Sequence, residues 1–85
     1  MPRVRHLVLD VLKPHQPNVL EFARAIASVG EDYRVEIRVV EVDEQTETLQ
    51  LSISGTALDF DAISAVIDEN GGSLHSIDEV SVAGD

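Results

Sequence analysis

The sequence predicts one α+β domain with the element order β-α-β-β-α-β. Three observations carry this. Two windows space their apolar residues as one face of a helix does. Four others are strand-like, rich in Val, Leu and Ile. A proline, a glycine or a polar turn stands at each junction between them.

Val4 to Leu12 reads as the first strand. Lys13-Pro14-His15-Gln16-Pro17 ends it, because Pro14 disfavours helical geometry at Lys13. Pro17 suits the first turn of a helix, where its missing N–H costs nothing. The first helix is expected from Pro17 to Val29, with Val19, Leu20, Phe22, Ala23, Ile26 and Ala27 as its apolar stripe. Gly30 is expected to stop it through a left-handed cap. Tyr33 to Val42 is the second strand: Val35, Ile37 and Val39 alternate with Arg34, Glu36, Arg38 and Val40. After the polar turn Asp43-Glu44-Gln45-Thr46, the third strand, Glu47 to Ser54, sets Leu49, Leu51 and Ile53 against Thr48, Gln50, Ser52 and Ser54. These two strands form a hairpin.

Gly55-Thr56 is the next break. Asp59 is placed to cap the second helix, and Asp61 lies near the positive end of its dipole. Phe60, Ile63, Val66 and Ile67 are its buried face, and Asn70-Gly71-Gly72 ends it. Ser73 to Val82 is the fourth strand, with Leu74 and Ile77 as apolar candidates, and its alternation fails at Asp78-Glu79. Two right-handed crossovers close this order into a ferredoxin-like βαββαβ fold. The expected sheet is four-stranded and antiparallel, in the order 4-1-3-2, with both helices on one face. It forms a single domain over residues 1–85.

A chain of 85 residues buries only about 60–65% of the surface it exposes unfolded. Its core is thin, and self-association is a natural source of further stability. There is no Cys, hence no disulfide framework or thiolate metal site, which fits a reducing cytoplasm as the expected location. No apolar run approaches the ~20 residues that cross a bilayer. Met1 to His6 runs straight into a strand, without a signal peptide's apolar segment.

Sixteen acids against six bases give a formal net charge of −10. Nucleic acid and anionic membrane surfaces are therefore excluded as expected partners, since both need Lys and Arg against phosphate. Two uses of the charge remain. One is a solvating surface suited to a salt-rich cytoplasm, a reading favoured by five of the six bases being Arg. The other is a site for divalent cations.

Topology gathers Asp10, Lys13, His15, Glu41, Asp43, Glu44, Glu47 and His75 toward one pole of the sheet. Asp10, Glu41, Asp43, Glu44 and Glu47 are the candidate metal ligands, because hard cations such as Ca²⁺ or Mg²⁺ take several oxygens. Their spacing is not that of an EF-hand. Lys13, His15 and His75 are candidates for a ligand-binding loop; a His15–His75 pair with Asp10 is one arrangement open to them, and ordinary hydrogen bonding of each His is the other. At the other pole, Arg5 and His6 are expected to face Asp78-Glu79 in an ion pair of little energetic weight.

The open sheet face is expected to carry Val8, Leu12, Val40 and Val42 as an apolar patch. It lacks the stacking aromatics of an RNA-binding sheet, since Phe22, Phe60 and Tyr33 are the chain's only aromatic residues. A subunit interface or a wet antiparallel face are the two uses left for it. Catalytic chemistry is disfavoured: there is no Cys, no Ser is set beside a His, and two prolines strip amides from the first loop.

Leu7-Val8-Leu9-Asp10-Val11-Leu12-Lys13-Pro14-His15, Val40 to Glu47 and Gly71 to Val80 together resemble a mainly archaeal family, domain of unknown function 211 (DUF211). The resemblance spans essentially the whole chain. It implies the ferredoxin-like fold, a ring-like homo-oligomer and calcium association, and it implies no activity. Glu31-Asp32-Tyr33-Arg34 departs from it, where a Gly- or Val-containing stretch is expected. The functional expectation is an uncharacterised oligomeric structural or regulatory module with a calcium ion at the acidic pole. The alternative is a regulatory domain sensing a small metabolite at a subunit interface near Lys13 to Pro17, which rests on fold analogy.

Overall fold

The computed structural model describes residues 1–84, so the expected domain is covered but for its last residue. Its elements are β1 (Arg3–Pro14), α1 (Val19–Ala27), β2 (Arg34–Val42), β3 (Thr46–Ser54), α2 (Phe60–Glu69) and β4 (Ser73–Ala83). The four strands form one antiparallel sheet in the order β2-β3-β1-β4. This is the ferredoxin-like order that the sequence predicts. No helix among the described residues is long and apolar enough to cross a membrane.

Strand alternation builds the core. Leu7, Leu9 and Val11 of β1 and Leu49, Leu51 and Ile53 of β3 all point to the helix side, where they are buried. Phe22 and Ile26 of α1 and Ile63 and Ile67 of α2 cover them. Cross-strand register arranges this face in rows: Val35–Ile53–Leu7–Val80, then Ile37–Leu51–Leu9–Ile77, then Val39–Leu49–Val11–Leu74. Each fully buried side chain stabilises the fold by about 1.5–3 kcal/mol.

The helix ends differ from expectation at α1 and agree at α2. Pro17 lies outside α1; Asn18 is the cap, and its side chain accepts from the Glu21 amide at 2.9 Å. An Asx cap satisfies an amide that proline at the first turn would only have removed. Leu20, expected in the buried stripe, is exposed. α1 ends on Ser28 in right-handed geometry, so Gly30 is not a left-handed cap. Gly30 serves close approach instead, because a Cβ there would lie 2.5 Å from the Tyr33 ring. The Tyr33 hydroxyl then accepts from the Asp59 amide at 2.6 Å, tying the start of β2 to the cap of α2. Asp59 caps α2 as predicted, accepting from Ala62 N at 3.1 Å. Gly71 takes the left-handed conformation after it, with φ +84°.

Three bulges separate β1 and β4 where the alternation failed. The register shifts leave Arg5, Asp78 and His75 without direct partners in that pairing. A fourth shift, between Val39 and Glu41, sets Glu41 against Thr48 and Val42 against Glu47. Directly opposed residues share a face. Val42 therefore lies on the helix side with Glu47, not in the open-face patch expected of it.

Candidate functional site

Lys13 follows Leu7, Leu9 and Val11 in the same alternation, so its side chain turns inward beneath α1. It is the buried charged residue of the core, at 0% exposure. Taking an ammonium out of water costs several kcal/mol unless it is paired and hydrogen-bonded. Lys13 Nζ donates to Pro14 O at 2.8 Å and Pro17 O at 2.7 Å, and lies 2.9 Å from Glu47 Oε1. The β1–α1 loop thus curls around the cation, and its direct cross-strand partner supplies the counter-charge.

Glu47 carries the network outward. Its Oε2 lies 3.2 Å from His15 Nδ1, and His15 Nε2 lies 3.0 Å from Glu44 O. Both ring nitrogens face acceptors, and only the imidazolium donates from both. The Glu47 carboxylate, then the Glu44 carbonyl, hold His15 above its ordinary pKa. The Lys13 ammonium, then His15, hold Glu47 below its own. The β1–α1 loop and the β2–β3 hairpin are thereby locked together. Lys13 thus donates to two carbonyls and has the Glu47 carboxylate as its ion-pair partner.

Asp10 takes part in a different pair. It lies on the open face, and the bulge at His75 brings that ring to it: His75 Nδ1 is 3.2 Å from Asp10 Oδ2. With Leu12 and Thr48 they line an open depression. The eight residues expected at one pole are therefore divided between two faces. Lys13, His15 and Glu47 converge on the helix side. Asp10 and His75 meet on the open side, where Glu41 also falls opposite Thr48. Asp43 and Glu44 sit exposed at the hairpin. His15 and His75 each pair with carboxylates of their own, Glu47 and Asp10, and among the described residues no group of three His, Asp or Glu is placed to hold a metal ion. At the other pole, His6 Nε2 lies 3.9 Å from Glu79 Oε1, while Asp78 accepts from Ser76 at 2.7 Å rather than facing Arg5.

One surface escaped sequence reasoning. The helix-side row of β4 lies at the edge of the sheet, with Ile77, Val80 and Val82 50%, 56% and 55% exposed. Of the strand's apolar side chains, Leu74 packs against the core while Ile77, Val80 and Val82 stay outside it. A sequence signal did exist. All six Lys and Arg lie within residues 1–38 against five acids, while residues 39–85 hold eleven acids and no Lys or Arg. β4 itself carries Asp78 and Glu79 and no Lys or Arg, so the strand is acidic as well as apolar.

The chain matches the DUF211 family, described as "Uncharacterized ArCR", over residues 5–85. It is also 45% identical over 84 residues to an uncharacterized protein of Methanocaldococcus jannaschii, an alignment that covers 99% of this chain and 86% of that protein.

Proposed function

This chain belongs to the DUF211 family, and from that premise we propose that it works by self-association, as an oligomeric structural or regulatory module. The observation that carries the reading is the uncovered β4 row, Ile77, Val80 and Val82. A thin core leaves such a row in water, and burying it against a second copy adds to stability. The metabolite-sensing alternative gains no support at the first loop, because Lys13 and the Pro14 and Pro17 carbonyls fill that space themselves. A calcium ion gains none at the acidic pole, where Glu47 is engaged by Lys13 and His15.

Native mass spectrometry at several protein concentrations tests the reading, with calcium and after chelation. The expected result is one discrete oligomer whose mass is the same in both conditions. Val80→Asp is expected to yield a folded monomer, judged by circular dichroism, because a half-exposed site tolerates the charge. A wild-type chain that stays monomeric throughout overturns the proposal. A calcium-dependent mass increase returns the acidic pole to consideration.

A further inference from the structure

Resting on that reading, we propose that the contact is head to tail: the β4 edge of one copy lies beside the β2 edge of the next. Strand direction permits it. β1 runs antiparallel to β3 and β4, and β3 runs antiparallel to β2, so the two free edges are antiparallel to one another. Docking them extends one antiparallel sheet and keeps the helices on the same side.

Charge selects this pairing over β4 against β4. β4 presents the exposed acids Asp78 and Glu79 and no Lys or Arg, so two copies of it repel. β2 presents Arg34 and Arg38 among Glu36 and Glu41, all exposed, so it offers the cations that β4 lacks. Like charges brought together at an interface disfavour a pairing, and opposite ones steer assembly.

Charge and apolar surface also agree on the register. Through β1 and β3, Glu79 is level with Glu36, in the row Glu79–Val8–Ser52–Glu36. Docking at equal height would set those two acids side by side. A two-residue slide toward the hairpin keeps both faces matched, since side chains repeat every second residue. It sets Glu79 beside Arg38. The same slide brings Ile77 to Val39, Val80 to Ile37 and Leu74 to Val42. Val39 and Val42 are themselves 42% and 61% exposed, so uncovered apolar side chains meet on both strands. The bulges at His75 and Asp78 interrupt the β4 edge, so these side-chain rows carry more of the contact than a long hydrogen-bond ladder does.

Charge reversal tests the contact. Glu79→Arg and Arg38→Glu are each expected to weaken assembly at least about tenfold, as read by light scattering after size exclusion at low salt. An equimolar mixture of the two variants is expected to reassemble, because each then offers the other an opposite charge at both edges. If Val80→Asp dissociates the oligomer but Arg38→Glu assembles like wild type, self-association stands and the head-to-tail contact is overturned. If both reversals dissociate it but the mixture does not recover, the Glu79–Arg38 pairing is wrong. A monomeric wild type defeats the underlying reading instead. Both sites are exposed, and circular dichroism confirms that each variant remains folded.

Discussion

The pole around Lys13 and the flank around Val80 both extend the helix-side rows of the sheet, and they end in opposite ways. At the pole the row ends in a charge that the fold has enclosed with two carbonyl acceptors and a counter-charge. At the flank it ends in apolar side chains that stay half-exposed at the sheet's edge. An enclosed charge with its acceptors in place is complete within one chain. An apolar row left in water is incomplete, and a second surface is what completes it. The pole should therefore govern the stability of the monomer, and the flank the contacts between copies.

The largest effect expected at the pole follows removal of the counter-charge. Glu47→Gln leaves the Lys13 ammonium buried without its ion-pair partner, a change that costs about 3–5 kcal/mol. Urea denaturation should show it as a lower midpoint with an unchanged slope. The double change Lys13→Met with Glu47→Leu removes both charges and is expected to recover most of that loss. Val80→Asp should do the reverse of Glu47→Gln, abolishing assembly while moving the monomer's stability by no more than ~0.5 kcal/mol. If Glu47→Gln dissociated the oligomer without lowering the monomer's midpoint, the division between the two regions would fail.

A smaller effect belongs to the α1 cap. Asn18→Ala removes the acceptor for the Glu21 amide and should cost about 1 kcal/mol. It also tests whether the β1–α1 loop is held from one side or two. Lys13 grips Pro17 O just before the cap, so combining Asn18→Ala with Glu47→Gln should give a loss that departs from the sum of the two, as coupled neighbours do.

The two regions were unequally legible in the sequence. The core rows were readable because Leu7, Leu9 and Val11 and Leu49, Leu51 and Ile53 keep a strict period of two, and no bulge disturbs β1 against β3. Lys13 continues that same period, yet a Lys at a strand end reads as solvated. Its burial depends on a loop curling two proline carbonyls onto it, a tertiary event that no periodicity announces. The acidic pole misled for a related reason. Proximity along the sheet gathered Asp10, Glu47 and His75, but alternation sends Asp10 to one face and Lys13 and Glu47 to the other. The bulge at Val40 was hidden, because Val39 and Val40 are both apolar and the pattern does not break there. The flank showed only as failed alternation at Asp78-Glu79. That failure marked a bulge, and beyond it Val80 and Val82 return to the helix side at the sheet's edge, where they stay more than half exposed.

The smallest expected effect is the pH dependence of the pole. His15 is held above its ordinary value near 6.5, so its stabilising contribution is complete below pH 6.5 and fades as pH rises through the higher folded value. Glu47 is held below its ordinary value near 4.5, so its contribution is complete above pH 4.5 and fades as pH falls through the lower folded value. The Lys13–Glu47–His15 network is therefore strongest between these two ordinary values. The His15 side chain is 40% exposed, and solvent screens its share of the effect. Denaturation midpoints of wild type and His15→Ala should differ most below the ordinary value of 6.5 and converge as pH rises through the higher folded value, and raised salt should shrink the gap. A gap that stays constant across this range would mean that His15 holds the hairpin by packing alone. An NMR titration of its ring settles the same point directly, since a ring held between two acceptors must titrate later than a free one.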